Sequence, residues 1–180
     1  MARQREFNED KVLDALRDVF WEHGYNGTSY KDIMAATGLQ KGSLYAAFGD
    51  KHSLYQRAIA RYDTQIVSEG VKMLRDESLS PRLRIENLMN GPVEATGTRE
   101  GRRGCLLCNA AIDQAATDKE TETSVTASMT RIKDAISFAI NDPAKAELIL
   151  AAYFGARVFV KAGMSRETLE ALREQTLSIL

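Results

Sequence analysis

Gln40, Lys41, Gly42 and Ser43 form the most chemically pointed run in this chain of 180 residues. A lysine ammonium can donate to the O6 and N7 acceptors of guanine, and a glutamine amide can read adenine bidentately. Ser43 can reach a base or a phosphate, and Gly42 lets a backbone approach a groove closely. Tyr45 and Lys51 have the chemistry of phosphate anchors, which set register without reading sequence. A core position for Tyr45 beside Leu44 is the alternative to that contact. Thr28, read as the cap of a helix, would bring free N–H groups to a phosphate. Lys31 either joins this set or lies on a solvated helix face.

A second cluster is sulfur. Cys105-Leu106-Leu107-Cys108 puts two thiols at i and i+3, on one helix face. A helix N-terminus with Arg102 and Arg103 nearby would favour thiolate, the reactive form of an oxidant or electrophile sensor. The same spacing also fits two small buried residues packing beside Leu106 or Ala110. His23 and His52 are far from both cysteines in sequence, and a structural zinc needs about four ligands. No metal site and no cofactor are expected. No Ser-His-Asp set, Gly-rich phosphate loop or paired-carboxylate motif stands out, so the chain is not read as an enzyme.

These residues need elements to position them, and the composition says which kind. Hydrophobic residues make up 44 % and charged residues 27 %, with only three prolines, so an all-α globular chain is expected rather than disorder. Asn8 can cap a first helix carrying Val12, Leu16, Val19, Phe20 and His23, with Gly24 as its stop. A second helix follows Thr28, with Ile33 and Met34 inward, and ends at Gly38. Leu39 and Gln40 make a turn. A third helix runs from about Lys41 to Phe48, held by the i, i+4 pair Leu44 and Phe48. Gly49 breaks it, and Asp50 caps a long fourth helix reaching roughly to Glu77. Two short helices about a tight glycine-containing turn are the helix-turn-helix pattern, whose second helix lays its N-terminal residues on base edges in the major groove.

The net charge of −1 argues against a broadly basic coat, but the charge is unevenly spread. Residues 24–62 hold Lys31, Lys41, Lys51, Arg57 and Arg61 against Asp32 and Asp50, a local +3. Nine of the thirteen aromatic residues also fall in residues 1–62, and none lies between Asp63 and Ser137. This divides the chain into units 1–62 and 63–180. The most apolar stretch, Leu148 to Ala156, is far shorter than the roughly 18–20 residues of a membrane span. The opening Met1-Ala2-Arg3-Gln4-Arg5-Glu6 is charged rather than signal-like, so a cytoplasmic protein with no membrane partner is expected.

The run Phe20-Trp21-Glu22-His23-Gly24-Tyr25, then Thr28-Ser29-Tyr30-Lys31-Asp32-Ile33, then Ala36-Thr37-Gly38-Leu39-Gln40-Lys41-Gly42-Ser43-Leu44-Tyr45-Ala46-Ala47-Phe48-Gly49-Asp50-Lys51 resembles the N-terminal domain of the TetR family of transcriptional repressors. The likeness covers about residues 7–58. Gln40 departs from it, standing where many relatives carry a Ser or Thr cap. The resemblance implies a dimeric double-stranded-DNA binder whose C-terminal domain takes a small molecule. The expected architecture is a three-helix helix-turn-helix domain joined by the long fourth helix to a helical effector-binding and dimerisation domain, about nine helices in all.

In residues 63–180, Ser80-Pro81 signals a helix start and Gly91-Pro92 a stop. Residues 97–104 read as a loop. Helices follow over about Cys105–Ala116, Glu120–Ile140 and from Asp142-Pro143 to Ala162, with a last one beginning at Ser165. Leu148 to Ala156 is apolar all round, so it must bury more than one face. Leu148, Ala152, Gly155, Phe159, Leu169 and Leu172 are the candidate homodimer interface, two helices meeting their mates in a four-helix bundle. Two-fold symmetry predicts a near-palindromic operator with half-sites about one helical turn apart or more. Few aromatic residues remain to stack on a flat ligand. Met73, Met89, Cys108, Met129, Phe138 and Phe154 are the candidate lining for a small, mainly apolar effector. A helical protein-interaction module is the competing reading.

Overall fold

The computed structural model describes residues 7–180, and every regular element among the described residues is a helix. The charged opening residues 1–6 lie outside the described residues. Asn8 caps α1 (Glu9–Gly27) by accepting from the Lys11 N–H, and Val12, Leu16, Val19 and Phe20 turn inward. Gly24 leaves helical space at φ 69° and ψ 178°, so the regular helix stops where expected and residues 25–27 add one further turn.

The next cap corrects the reading of Thr28. Ser29 caps α2 (Tyr30–Thr37) in a reciprocal box with Asp32, whose carboxylate accepts back from the Ser29 N–H at 2.8 Å. Thr28 is buried instead, and its hydroxyl donates to the Gly24 carbonyl at 2.6 Å. The glycine break leaves that carbonyl free, and Thr28 closes it. Gly38 ends α2 at φ 71°, where a residue with a Cβ would be strained. Then α3 (Lys41–Phe48) starts without a side-chain cap from Gln40, and Gly49 turns the chain at φ 89°.

Asp50 caps α4 (Lys51–Tyr62), accepting from the Ser53 N–H. The expected long helix is a rod of three parts: α4, a π-helical turn (Asp63–Val67) and α5 (Ser68–Leu74). It ends at Leu74 rather than near Glu77, because the Asp76 side chain accepts from the Ser78 N–H and hydroxyl and draws the backbone into a turn. α6 (Pro81–Glu94) starts at Ser80-Pro81 as expected but runs through Gly91-Pro92. Pro92 and Val93 are buried, so packing holds a turn that has lost one hydrogen bond.

The expected loop 97–104 contains a single helical turn, α7 (Arg99–Arg102), between the left-handed Gly97 and Gly104. α8 (Leu106–Asp113) stops short of Ala116, and Asp118 caps α9 (Lys119–Ile140). Asp142 caps α10 (Pro143–Ala162), and Ser165 caps α11 (Arg166–Ser178). Taking the rod as one helix and setting aside the single turn α7, the described residues form nine helices. α1 packs on α2, α4 and α8, so the first three-helix unit and the rest share one continuous core.

Candidate nucleic-acid interface

Leu44 and Phe48 are buried in the core and anchor α3 there, which leaves the rest of its surface turned outward. Gln40, Lys41, Gly42, Ser43 and Tyr45 are all exposed, and Lys31 is exposed on α2. Tyr45 is 45 % accessible, so its ring is not a core residue. It stacks on Tyr30 with centroids 5.5 Å apart and an interplanar angle of 21°. Lys41 Nζ lies 4.6 Å from the Tyr30 centroid and 5.7 Å from that of Tyr45. The lysine at the head of α3 is thus braced by two ring faces rather than free to wander. Burial, then a hydrogen bond with Tyr45, pushes the Tyr30 hydroxyl up to about 12, so it stays protonated at neutral pH.

Lys51 Nζ sits 4.6 Å over the Tyr25 ring, and burial lowers its affinity for the proton. Arg57 lies over Phe48 at 5.5 Å. Arg61 points away from this face, bound to Asp10 at 2.9 Å and Asp14 at 2.8 Å. Its charge belongs to the contact between α1 and α4, so of the five cations in residues 24–62 Lys31, Lys41, Lys51 and Arg57 have no carboxylate bound to them among the described residues. Sequence reasoning missed Tyr30 and Tyr25. Their aromatic type beside a basic run was the available signal, but which cation each ring meets depends on the turn at Gly38.

Polar contacts tie this unit to the remaining helices. Arg103 bonds Asp18 at 2.8 Å, approaches Glu22 at 3.6 Å and lies 4.1 Å over Trp21. His52 Nε2 meets Asp118 at 2.9 Å, and Gln56 donates to Thr121 at 2.8 Å. At the π turn, Asp63 accepts from Ser128 at 2.6 Å and pairs with Arg131.

Comparison with known proteins agrees with this geometry. The family model for bacterial regulatory proteins of the tetR family matches residues 12–58. The HTH-type transcriptional repressor ComR of Escherichia coli is 28 % identical over 108 residues, which cover 60 % of this chain and 51 % of that protein. The uncharacterized HTH-type transcriptional regulator YezE of Bacillus subtilis is 32 % identical over 124 residues, 67 % of this chain and 61 % of that protein. The chain thus spans about half to three fifths of the length of these curated relatives. Among solved structures, a cysteine mutant of the TetR family transcriptional regulator CifR, complexed with 26 bp double-strand operator DNA, superposes with a TM-score of 0.82. It is 28 % identical, with 98 % of each chain covered. The chain belongs to the TetR family.

In this TetR-family chain the rod, α6, α8, α9 and α10 enclose a small apolar cavity of about 30 Å³, room for roughly one water. Tyr62, Ile66 and Val67 of the rod face Leu107, Ile132 and Phe154 across it. Phe154 is the one residue of the sequence-derived effector set that lines it. Met89 is sealed into the core at 1 % accessibility, and Met129 packs half-buried against the core outside the cavity. Met73 lines a shallow surface hollow at the end of α5. Phe138 is exposed, with the guanidiniums of Arg75 and Arg84 at 5.2 and 5.9 Å. Cys108 lines a separate, larger cleft against α1, and Cys105 lines both spaces. Methionine type alone did not report which helix face would turn inward.

Both thiols are buried and reduced. Cys105 is the N-cap of α8, and the Tyr62 hydroxyl donates to its Sγ at 3.5 Å. Hydrogen bonds from Cys108, then Tyr62, and the nearby Arg157 charge outweigh burial and bring the Cys105 thiol down to about 6. The same Cys105 contact and burial push Cys108 strongly up. Arg102 and Arg103, expected from sequence to act on the thiols, are not among these causes.

α10 divides its apolar surface between two faces. Ala146, Ile149, Ala156 and Val160 are buried, whereas Leu148 is 63 % and Phe159 39 % accessible. Ala152, Gly155 and Leu172 are half-buried on the outer side. Leu169 is the exception in the sequence-derived interface. It is 1 % accessible and belongs to the core of the chain itself.

Proposed function

We propose that this chain is a DNA-binding transcriptional repressor that acts as a homodimer on a near-palindromic operator and leaves it when a small, mainly apolar effector binds. The carrying observation is the exposed row Gln40-Lys41-Gly42-Ser43 at the N-terminal end of α3, with Lys41 braced by Tyr30 and Tyr45. CifR's operator complex and ComR's name as a repressor support the assignment by similarity. The half-sites would be read by α3 and α3 of the second copy, brought together through the outer faces of α10 and α11. No helix among the described residues is long and apolar enough to cross a membrane, which accords with a cytoplasmic regulator.

Units 1–62 and 63–180 meet inside the rod, where the π turn walls the inner cavity. An effector larger than a water would have to part the π turn from Leu107 and Ile132. That displacement changes the angle of α4, and with it the position of α3. Ligand then selects a conformer whose recognition helices no longer match successive major grooves. Operator affinity measured against salt tests the central claim. It should fall steeply as phosphate counterions are released. A flat response would move the helix-turn-helix to a protein partner.

The position of Cys105 favours a second reading, sensing by thiol chemistry. Its sulfur forms a wall of both the inner cavity and the outer cleft, so a change there reaches the rod directly. A peroxide would take two electrons and two protons from the Cys105 and Cys108 thiols, joining the sulfurs and leaving water and an alcohol or a second water. Mass spectrometry after peroxide would show a loss of about 2 Da per chain, together with weaker operator binding. An unchanged mass with operator release by apolar ligands would leave the first reading alone.

A further inference from the structure

The cleft between the end of α1 and the outer sides of α8 and α10 has a volume of about 290 Å³, near the lower end of ligand pockets. Arg157 stands on its wall. Most of this side chain is below the surface, and its Nε–H is buried with no hydrogen-bond partner. One Nη2–H donates to the Gly104 carbonyl at 2.8 Å. The groups facing the guanidinium are Tyr62, Tyr153, Cys105 and Cys108; the Cys105 thiol, brought down to about 6, is its anionic neighbour, and among the described residues no carboxylate binds it. Buried charges in proteins are normally paired, because stripping an ion of water is costly.

We propose that the cleft is a binding site for a small monocarboxylate, whose head group supplies the hydrogen-bond acceptor that the Arg157 guanidinium lacks. A guanidinium presents parallel N–H groups that match a carboxylate. Lys161 lines the same cleft and is held by Asn109, to which its Nζ donates at 2.7 Å. Ile112 and Val158, 78 % and 44 % accessible, offer the short apolar part of the ligand a surface to cover. The opposite end carries Glu22 and Asp113. Glu22 is turned toward Arg103 and Arg99, and Asp113 lies against Gly24 of α1. These two carboxylates repel a second negative charge, so the site selects monoanions over phosphates and dicarboxylates. This site is separate from the apolar cavity of the proposed effector. It is walled by α1 of the DNA-reading unit, so occupancy is sensed there without passing through the rod.

The test uses the full chain, with sodium butyrate as ligand probe and butyramide as its neutral isostere. At about 20 mM butyrate the melting temperature should rise by about 2–3 °C, with no rise for butyramide or for the same concentration of succinate. The Ile112 methyl resonance should shift with butyrate. Arg157→Gln should abolish both responses, and Lys161→Gln should weaken them severalfold. Arg157→Lys keeps the charge and should retain part of the binding if the glutamine variant proves unfolded. Equal responses to butyrate and butyramide, a response retained in Arg157→Gln, or no response of the unmodified chain would overturn the proposal. Operator binding measured on the same samples is independent, so a failed carboxylate site and a failed repressor assignment give different results.

Discussion

Lys41 illustrates how much a single side chain's neighbours decide. An ammonium on a four-carbon stem loses rotamer freedom when it contacts DNA, and that loss is smaller if the stem is already braced. The Tyr30 and Tyr45 rings provide the brace. Lys41→Ala should lower operator affinity about tenfold to a hundredfold and make the salt dependence shallower. Tyr30→Leu removes no charge. It should cost only about two- to fivefold in affinity, and the slope against salt should stay unchanged. Fluorescence anisotropy on one labelled operator at several salt concentrations separates the two, and a Tyr30→Leu slope as shallow as that of Lys41→Ala would remove the bracing role. The lysine was legible from its type and its place after a glycine turn. The brace was not, because Tyr30 and Lys41 meet only once Gly38 has folded α2 against α3.

At the scale of elements, caps were the most legible features. Asn8, Asp50, Ser80, Asp142 and Ser165 all accept from N–H groups within a few residues, so the cap follows from local sequence. Thr28 and Ser29 are adjacent and chemically alike, and only the glycine break before them decides which one caps. Ser29→Ala should cost about 1 kcal/mol, read as a drop of about 2–4 °C in melting temperature, whereas Thr28→Ser should cost less than that.

The contact between α4 and α9 carries a pH signature. His52 is raised from its ordinary value, chiefly by the hydrogen bond to Asp118, and Asp118 is held down to about 2, chiefly by its bond with Thr121 and then by His52. The histidine's contribution is complete below about pH 6.5 and fades as pH rises through its elevated folded value. The aspartate's contribution is complete above about pH 4 and fades only toward pH 2. His52→Gln should therefore lower the melting temperature by about 1–4 °C at pH 5 and by much less at pH 8. A loss that is equal at both values would assign His52 a packing role alone.

For the whole molecule, the near-zero net charge hides a division of labour. Arg61, Arg17 and Arg103 are engaged with acids of α1, so much of the basic charge joins helices instead of meeting DNA. Non-specific affinity should be low, and operator binding should depend on two copies acting together. Leu148→Arg puts a charge on the outer face of α10 without disturbing the buried one. It should yield a folded monomer by sedimentation, with operator affinity reduced by at least about a hundredfold through loss of the second half-site. A variant that stays dimeric would place the interface elsewhere.

The π turn between α4 and α5 has a consequence for chain length. Its hydrogen bond, from the Ser68 N–H to the Asp63 carbonyl, spans one residue more than an α-helical bond. The rod therefore carries one surplus residue, accommodated where Asp63 is held by Ser128 and Arg131. Deleting the exposed Thr64 would let the same span close as ordinary α-helix with α4 and α5 keeping their facing sides. Such a protein should melt at the same or a higher temperature and still bind its operator. It would also lack the wide turn that walls the inner cavity, so apolar ligands should no longer release it. One residue would then separate a regulator that listens from one that does not.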